Sequence, residues 1–232
     1  MKILAIDTAT PSCSVALTDG ETLLSEVTVK TGRSHSRHIM EIIRQVLALS
    51  VFNLEDIDGF AVSRGPGSFT GLRIGISTVK GYAFATAKPM VGVSSLRSLA
   101  AQAPAGTDLI CPMLDARKKE VYYALYRYDG GTLIRQGNEG VLPPDKITGR
   151  IETTCLFIGT GALAYRSVIE GALGRRAQFA PEGHHIIRAS TLAFLSRDRF
   201  VGADPKDAAD FVPTYIRKPD AVLNRPPSRL SS

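Results

Sequence analysis

Arg64-Gly65-Pro66-Gly67-Ser68-Phe69-Thr70-Gly71-Leu72-Arg73-Ile74-Gly75 decides how the first half of this chain is read. A strand pattern, Gly59-Phe60-Ala61-Val62-Ser63, precedes it, and an apolar run from Leu72 to Ala87 follows. Pro66 and the glycines force a turn, and the run behind them is long enough for a helix. Strand, glycine-rich turn and helix N-terminus are together the parts of a phosphate cradle. The spacing fits neither common form. A dinucleotide fingerprint wants a third glycine where Thr70 stands, and a Walker loop wants Lys-Ser/Thr where Leu72-Arg73 follow Gly71. Tight backbone packing is the other use of such glycines, and the spacing favours it.

Upstream, Lys2-Ile3-Leu4-Ala5-Ile6-Asp7-Thr8-Ala9 has the composition of a strand ending in Asp7. Ser12 to Leu17 reads as a second strand, Asp19-Gly20 as a hairpin turn and Thr22 to Val29 as a third. Three antiparallel strands, the first closing on an Asp, suggest a ribonuclease-H-like lobe. An Asp so placed can hold a metal or a nucleotide's magnesium, although that chemistry draws on several converging oxygens. Asp7 can equally cap the Thr8-Ala9 turn.

Between these strands and the glycine turn, Ser34 to Ser50 repeats with helical period. Ile39, Ile42, Val46 and Leu49 share one face and Arg37, Glu41 and Arg44 the opposite one, while Met40, Ile43 and Leu47 widen the apolar stripe. His35 and His38 are one turn apart, but no acidic or cysteine ligand accompanies them, so hydrogen bonding at the helix start is the better reading. In the helix after the glycine turn, Leu72, Ile76, Val79 and Ala83 should face the sheet. Ile74, Thr78, Gly81, Tyr82 and Ala85 lie opposite, where a surface helix would carry charge. A small, apolar outer face calls for a cover, and a partner is preferred to a second layer of the same chain. Pro89 ends this helix, Met90 to Val93 is a short strand, and Ser94 or Ser95 caps a further helix through Ala103.

Pro104-Ala105-Gly106 reads as a boundary. Beyond it, Leu109 to Leu114 is a strand ending at Asp115, Ala116-Arg117-Lys118-Lys119 a polar turn, and Glu120 to Tyr128 an alternating strand. Asp129-Gly130-Gly131 then turns the chain into Thr132 to Gln136. A strand ending in Asp with a hairpin behind it echoes the start of the chain, which would place Asp7 and Asp115 on either side of a cleft. Leu156 to Gly159 is a further strand, followed by a helix from Gly161 to about Gly171. His184-His185 read as loop polar residues, and Arg188 to Phe200 as a last helix whose packing partner stays open.

The composition bounds function. With 44% apolar and 22% charged residues in 232, the chain has the composition of a globular protein that buries a sizeable core. No run approaches a membrane span, and the N-terminus lacks a signal-peptide layout, so a cytoplasmic location is expected. Cys13, Cys111 and Cys155 are too scattered for a disulfide framework or a zinc knuckle. A formal charge of +6 is mild, with Arg217, Lys218, Arg225 and Arg229 gathered in what reads as a flexible basic tail. Gly92-Val93-Ser94-Ser95-Leu96 misses a nucleophile elbow at its last position, and His-Glu-x-x-His is absent. No convincing catalytic set emerges.

Ile3-Leu4-Ala5-Ile6-Asp7-Thr8-Ala9, Ser34-His35-Ser36, the Arg64–Gly75 stretch, Lys88-Pro89-Met90-Val91-Gly92-Val93-Ser94-Ser95-Leu96, Asp115-Ala116-Arg117-Lys118-Lys119-Glu120-Val121-Tyr122 and Pro213-Thr214-Tyr215-Ile216-Arg217 closely resemble the TsaB family of bacterial tRNA threonylcarbamoyladenosine biosynthesis proteins. The resemblance implies an α/β fold of two ribonuclease-H-like lobes, of the actin/sugar-kinase/Hsp70 type, with the second lobe reduced. The lobes would be residues 1–104, carrying the docking helices, and 105–217, with 218–232 as the basic tail. It also implies a relative of TsaD, the transferase that moves a threonylcarbamoyl group from its adenylate to N6 of the adenosine 3′ of the anticodon, in tRNAs reading codons that begin with A. TsaD holds its metal partly through a His-x-x-x-His pattern, and Ser95 and Leu99 stand at the matching positions here.

The implied protein is therefore a required but non-catalytic subunit, with no cofactor and no metal. It would pair with a TsaD-like transferase through Arg37, Met40, Arg44, Leu47, Ile74, Thr78, Gly81, Tyr82 and Ala85. A TsaE-like ATPase would join the pair, the chain alone would form a homodimer through the same surface, and tRNA would meet the assembled complex. The alternative is a residual nucleotide-binding or phosphotransfer enzyme, for which Asp7, Gly65, Gly67 and Asp115 are the candidates.

Overall fold

A computed structural model of the chain describes residues 1–30, 35–104 and 106–217. The expected basic tail, 218–232, lies outside the described residues, as do the side chain of His35, Ser34 and the boundary residue Ala105. The first half runs β1 (Lys2–Asp7), β2 (Ser12–Asp19), β3 (Thr22–Lys30), α1 (His35–Ser50), β4 (Gly59–Gly65), α2 (Phe69–Thr86), β5 (Met90–Ser94) and α3 (Ser95–Ala100). The second half runs β6 (Ile110–Asp115), β7 (Val121–Asp129), β8 (Thr132–Leu142), α4 (Pro144–Thr148), β9 (Cys155–Ile158), α5 (Thr160–Ala164), α6 (Arg166–Leu173), β10 (Ala177–Phe179) and α7 (Ala189–Ser196).

Each half builds one five-stranded sheet, ordered β3-β2-β1-β4-β5 and β10-β9-β6-β7-β8. Numbered within its own lobe, the second order is the first read from the other end. In each, the opening strand pairs antiparallel with the hairpin behind it and parallel with the fourth strand. The echo heard in the sequence at Asp7 and Asp115 is thus a repeat of topology. The second lobe is the reduced one: its connecting helices α4, α5 and α6 are 5, 5 and 8 residues long, against 16 and 18 for α1 and α2.

β1 is buried on both faces, which is why it reads as a continuous apolar run. Leu4 and Ile6 join a core under α1 and α2, built with Ile39, Ile42, Ile43, Val46, Ile76 and Val79. Ile3 and Ala5 turn the other way and meet Ala189, Leu192 and Ala193 of α7. Small Ala5, Ala16 and Ala61 on that face let α7 approach closely. The last helix therefore packs back on the first lobe. Its first amides are capped from that sheet: Ala189 N donates to Ser14 Oγ at 2.9 Å and Ser190 N to Glu26 Oε1 at 2.9 Å. A carboxylate is well placed there against the helix dipole. On the inner face of the second sheet, α3 contributes Leu96, Leu99 and Ala100 to a core with Ile110, Leu114 and Tyr126.

Several boundaries differ from expectation. Leu49 is 68% exposed, since it lies at the edge of the buried arc that Ile39, Ile42, Ile43 and Val46 form. The helix expected from Gly161 to Gly171 breaks at Tyr165, whose φ of −117° leaves the helical range. The last helix gives way to a 3₁₀ turn, Arg197–Phe200, and α3 stops at Ala100 rather than Ala103. β8 continues to Leu142 past Gly137, while α4 and β10 carried no clear pattern. His185 is no loop surface residue. It is 2% exposed and its ring bridges Gly159 N (3.0 Å) and Ala180 O (2.8 Å), tying the end of β9 to the segment behind β10. All three cysteines are buried and free of disulfides.

Candidate functional site

The glycine turn sits against the loop that follows β1. Ser68 caps α2 by accepting from Gly71 N at 3.2 Å, and its own N–H donates to Ala9 O at 2.7 Å. Thr8 Oγ1 donates to Gly71 O at 2.8 Å. These bonds draw two backbones together until no side chain fits between them. A Cβ at Gly67 would stand 2.5 Å from Ala9 O, and one at Gly71 would stand 2.0 Å from Thr8 O. The space a phosphate would use beside these two glycines holds the chain's own Thr8-Ala9 peptide. Gly65, with φ +111°, lies against Thr214 O of the C-terminal segment.

Asp7 is sealed beneath this contact, with no exposed surface. Oδ1 accepts from Ser63 Oγ and from Ala9 N (3.3 Å), so the carboxylate does cap its own turn, while Oδ2 has no partner among the described residues. Burial pushes its pKa from 3.8 up to about 7, against the lowering effect of the Ser63 and Ala9 hydrogen bonds. Asp115, at the equivalent strand end of the second lobe, is exposed, and Oδ1 accepts from Arg117 N at 2.8 Å within its own turn. The two carboxylates share no partner. Among the described residues no group of three or more His, Cys, Asp or Glu side chains could hold a metal ion. Ser95 and Leu99 are fully buried, Leu99 as part of the core beneath α3.

The other candidate surface is the outer side of α1 and α2, which lie next to one another over the first sheet. Tyr82 stacks on Phe60 with ring centroids 6.0 Å apart and reaches Met40 Sδ with its hydroxyl at 3.8 Å. Ile74, Leu47 and Tyr82 are half-buried against the core, whereas Met40, Gly81 and Ala85 are exposed. Thr78 returns its hydroxyl to Ile74 O at 2.9 Å and so presents its methyl side outward. Arg37 is exposed, and Arg44 is paired with Glu41 at 2.6 Å. The cations of α2 lean away from this surface, Lys80 to Ala209 O at 2.8 Å and Arg73 to the Phe69 ring at 3.9 Å. Phe84, 89% exposed, widens the apolar area. Sequence reading passed it over because it falls on the Arg73–Ser77–Lys80 side of the helix; its size on an exposed stripe was the available signal.

Two sheets of one repeated strand order, with α3 and α7 packed on their inner faces, define a protein of the actin/sugar-kinase/Hsp70-like class with ribonuclease-H-like lobes. Comparison with known proteins narrows this. The profile described as "TsaD: tRNA N6-adenosine threonylcarbamoyltransferase" matches residues 23–225. The tRNA threonylcarbamoyladenosine biosynthesis protein TsaB of Bacillus subtilis is 31% identical over 95% of this chain and 96% of its own length. The Escherichia coli TsaB is 39% identical over 71% of this chain and 74% of its own. The solved structure of YeaZ from Pseudomonas aeruginosa superposes with a TM-score of 0.75 at 29% identity, covering 92% of this chain and 99% of that one. The chain belongs to the TsaB family.

Proposed function

We propose that this protein serves tRNA threonylcarbamoyladenosine formation as a cytoplasmic subunit without chemistry of its own. It docks on a TsaD-like transferase, positions and activates it, and is joined there by a TsaE-like ATPase. The complex modifies tRNAs that read codons beginning with A, and tRNA is engaged by the assembly. Alone, the chain pairs with a second copy through the same surface. The observation that carries this reading is the outer face of α1 and α2, where Met40, Tyr82, Gly81 and Ala85 form an apolar patch beside exposed Phe84, flanked on α1 by Arg37 and the Arg44–Glu41 pair. Family membership supports the process, tRNA threonylcarbamoyladenosine biosynthesis.

Tyr82→Glu tests it. A carboxylate at the centre of the patch would be buried unpaired on association, a cost of about 3–5 kcal/mol. Calorimetric affinity for the transferase should fall by at least a factor of about 100, since 1.4 kcal/mol is tenfold. Unchanged affinity would remove α2 from the interface.

One observation favours a second reading, residual nucleotide binding at Asp7: its buried, unpartnered Oδ2. Against it stands the Thr8-Ala9 peptide beside Gly67 and Gly71. ATP binding by the isolated chain, abolished by Asp7→Ala, would establish it.

A further inference from the structure

The C-terminal segment 211–217 is an extended strap that crosses from the first lobe to the second. Phe211 covers Gly92, where a Cβ would stand 2.4 Å from its ring. Thr214 N donates to Arg64 O at 2.8 Å, and Arg64 Nε donates to Val212 O at 3.3 Å. Tyr215 packs on Phe69 with centroids 5.2 Å apart. Arg217 is ion-paired with Glu120 and donates to Ala116 O at 3.0 Å.

Cations gather at both ends of this strap. At the first, Arg199 donates to Gly92 O at 2.5 Å, Arg64 lies against the same glycine, and Arg97, in the first turn of α3, donates its backbone N–H to Ser94 Oγ at 3.2 Å. Arg97 Nε is buried without a partner among the described residues. Burial, then the neighbouring Arg97 and Arg64, hold the Arg199 guanidinium below its ordinary pKa, as expected for cations converging without enough counter-charge. The nearby carboxylate, Glu139, is taken up by Ser94 Oγ and by Arg135 at 3.7 Å. At the second end, Arg117, Lys118 and Lys119 follow one another at φ 59°, 53° and 61° and are all exposed. Left-handed backbone is disfavoured for residues with a Cβ, and Gly or Asn would sit there more easily. The turn instead carries three cations in a row. Its carboxylates are engaged, Asp115 by Arg117 N and Glu120 by Arg217.

We propose that this strap face is a track for an RNA backbone, whose phosphates meet Arg64, Arg97 and Arg199 at one end and Arg117, Lys118 and Lys119 at the other. Seven extended residues reach at most about 25 Å, a span that a strand of regularly spaced phosphates bridges. An acidic protein would need two carboxylate clusters at matching separation. The inference rests on the tRNA role proposed above and supplies the surface that role requires. Its cations, Arg64, Arg97, Arg199 and Arg117 to Lys119, are distinct from the residues proposed for the α1–α2 patch.

The test is fluorescence anisotropy with an unmodified transcript of a tRNA reading a codon that begins with A, titrated with the complex of full-length chain and transferase across a range of salt. Arg117→Gln with Lys119→Gln, and separately Arg64→Gln, should weaken binding about tenfold and flatten the salt dependence by about one unit of slope per lost phosphate contact. The single charge-conserving variant Arg117→Lys should retain both affinity and slope, which separates charge from folding. Unchanged affinity and slope in an intact complex would overturn the track. Normal RNA binding with weakened assembly would also overturn it, and would assign the clusters to an acidic protein. If the unaltered chain never joins the transferase, the docking reading fails by itself, and the same slopes measured on the chain alone still decide the track.

Discussion

Asp7 makes the fold sensitive to pH in a direction opposite to that of most carboxylates. Its pKa rises from 3.8 to about 7 because ionisation would leave a fully buried anion with two hydrogen bonds and, among the described residues, no counter-cation. The folded chain therefore holds this proton more tightly than the unfolded chain. Its favourable contribution is complete below pH 3.8, declines as pH rises, and is gone above the folded value near 7. A shift of about three units, at 1.36 kcal/mol each, amounts to roughly 4 kcal/mol. That is a large part of the stability of an ordinary domain.

Asp7→Asn fixes the neutral state and isolates the effect. The variant carries a constant offset from its amide, which lacks a partner where Oδ2 now lies. Superimposed on the offset, urea unfolding from pH 4 to pH 8 should show the variant gaining on the parent by about 4 kcal/mol, with most of the gain between pH 5 and 7. The comparison cancels every other titrating group. A difference that stays flat across this range would mean that Asp7 ionises normally and that water or a cation reaches it. A dependence abolished by magnesium and ATP together would point to the nucleotide reading instead.

Gly71→Ala sets a Cβ 2.0 Å from Thr8 O, so two backbones must separate, and thermal unfolding should show a loss of about 1–3 kcal/mol or more. Gly81→Ala meets nothing within 4 Å and should stabilise the isolated chain by about 1 kcal/mol through helix propensity, yet weaken transferase binding if a helix packs closely there. Chemical denaturation and calorimetry would separate the two effects. His185→Ala orphans Gly159 N and Ala180 O inside the second lobe and should destabilise by about 2–4 kcal/mol, with hydrogen exchange rising first at β9 and β10.

What could be read from the sequence was whatever the chain settles locally. β1 to β5 announced themselves through apolar runs and turn residues, and the buried arc of α2 through Leu72, Ile76, Val79 and Ala83. What could not be read depends on residues far apart. The resting place of α7 follows from Ser14 and Glu26, which cap it from 175 and 164 positions away. His185 looked like a loop histidine because Gly159, which fixes its ring, lies on another element. β10 is three residues long, too short for a period, and β8 was legible only from Thr132 to Gln136 because Gly137 interrupts its pattern.

The glycine turn shows where the boundary between legible and hidden falls. Residue type and spacing in Arg64–Gly75 separated a phosphate cradle from backbone packing only by what was missing, a lysine and a third glycine. The partner of that packing, Thr8-Ala9, comes from a loop some sixty positions upstream, as the separation of 63 between Thr8 and Gly71 records. Once that contact is in place it fixes more than the turn. It seals Asp7 at the end of β1, and it sets the start of α2 through Ser68, which caps the helix while holding Ala9. The strap then locks the same turn from outside at Gly65 and continues to the Arg117–Lys119 turn of the second lobe through Arg217. The orientation of the apolar α2 face and the position of the second-lobe cations are thus set by one continuous series of contacts. The glycine turn, whose pattern resembles part of a phosphate cradle, is here part of the frame, closed by the Thr8-Ala9 peptide.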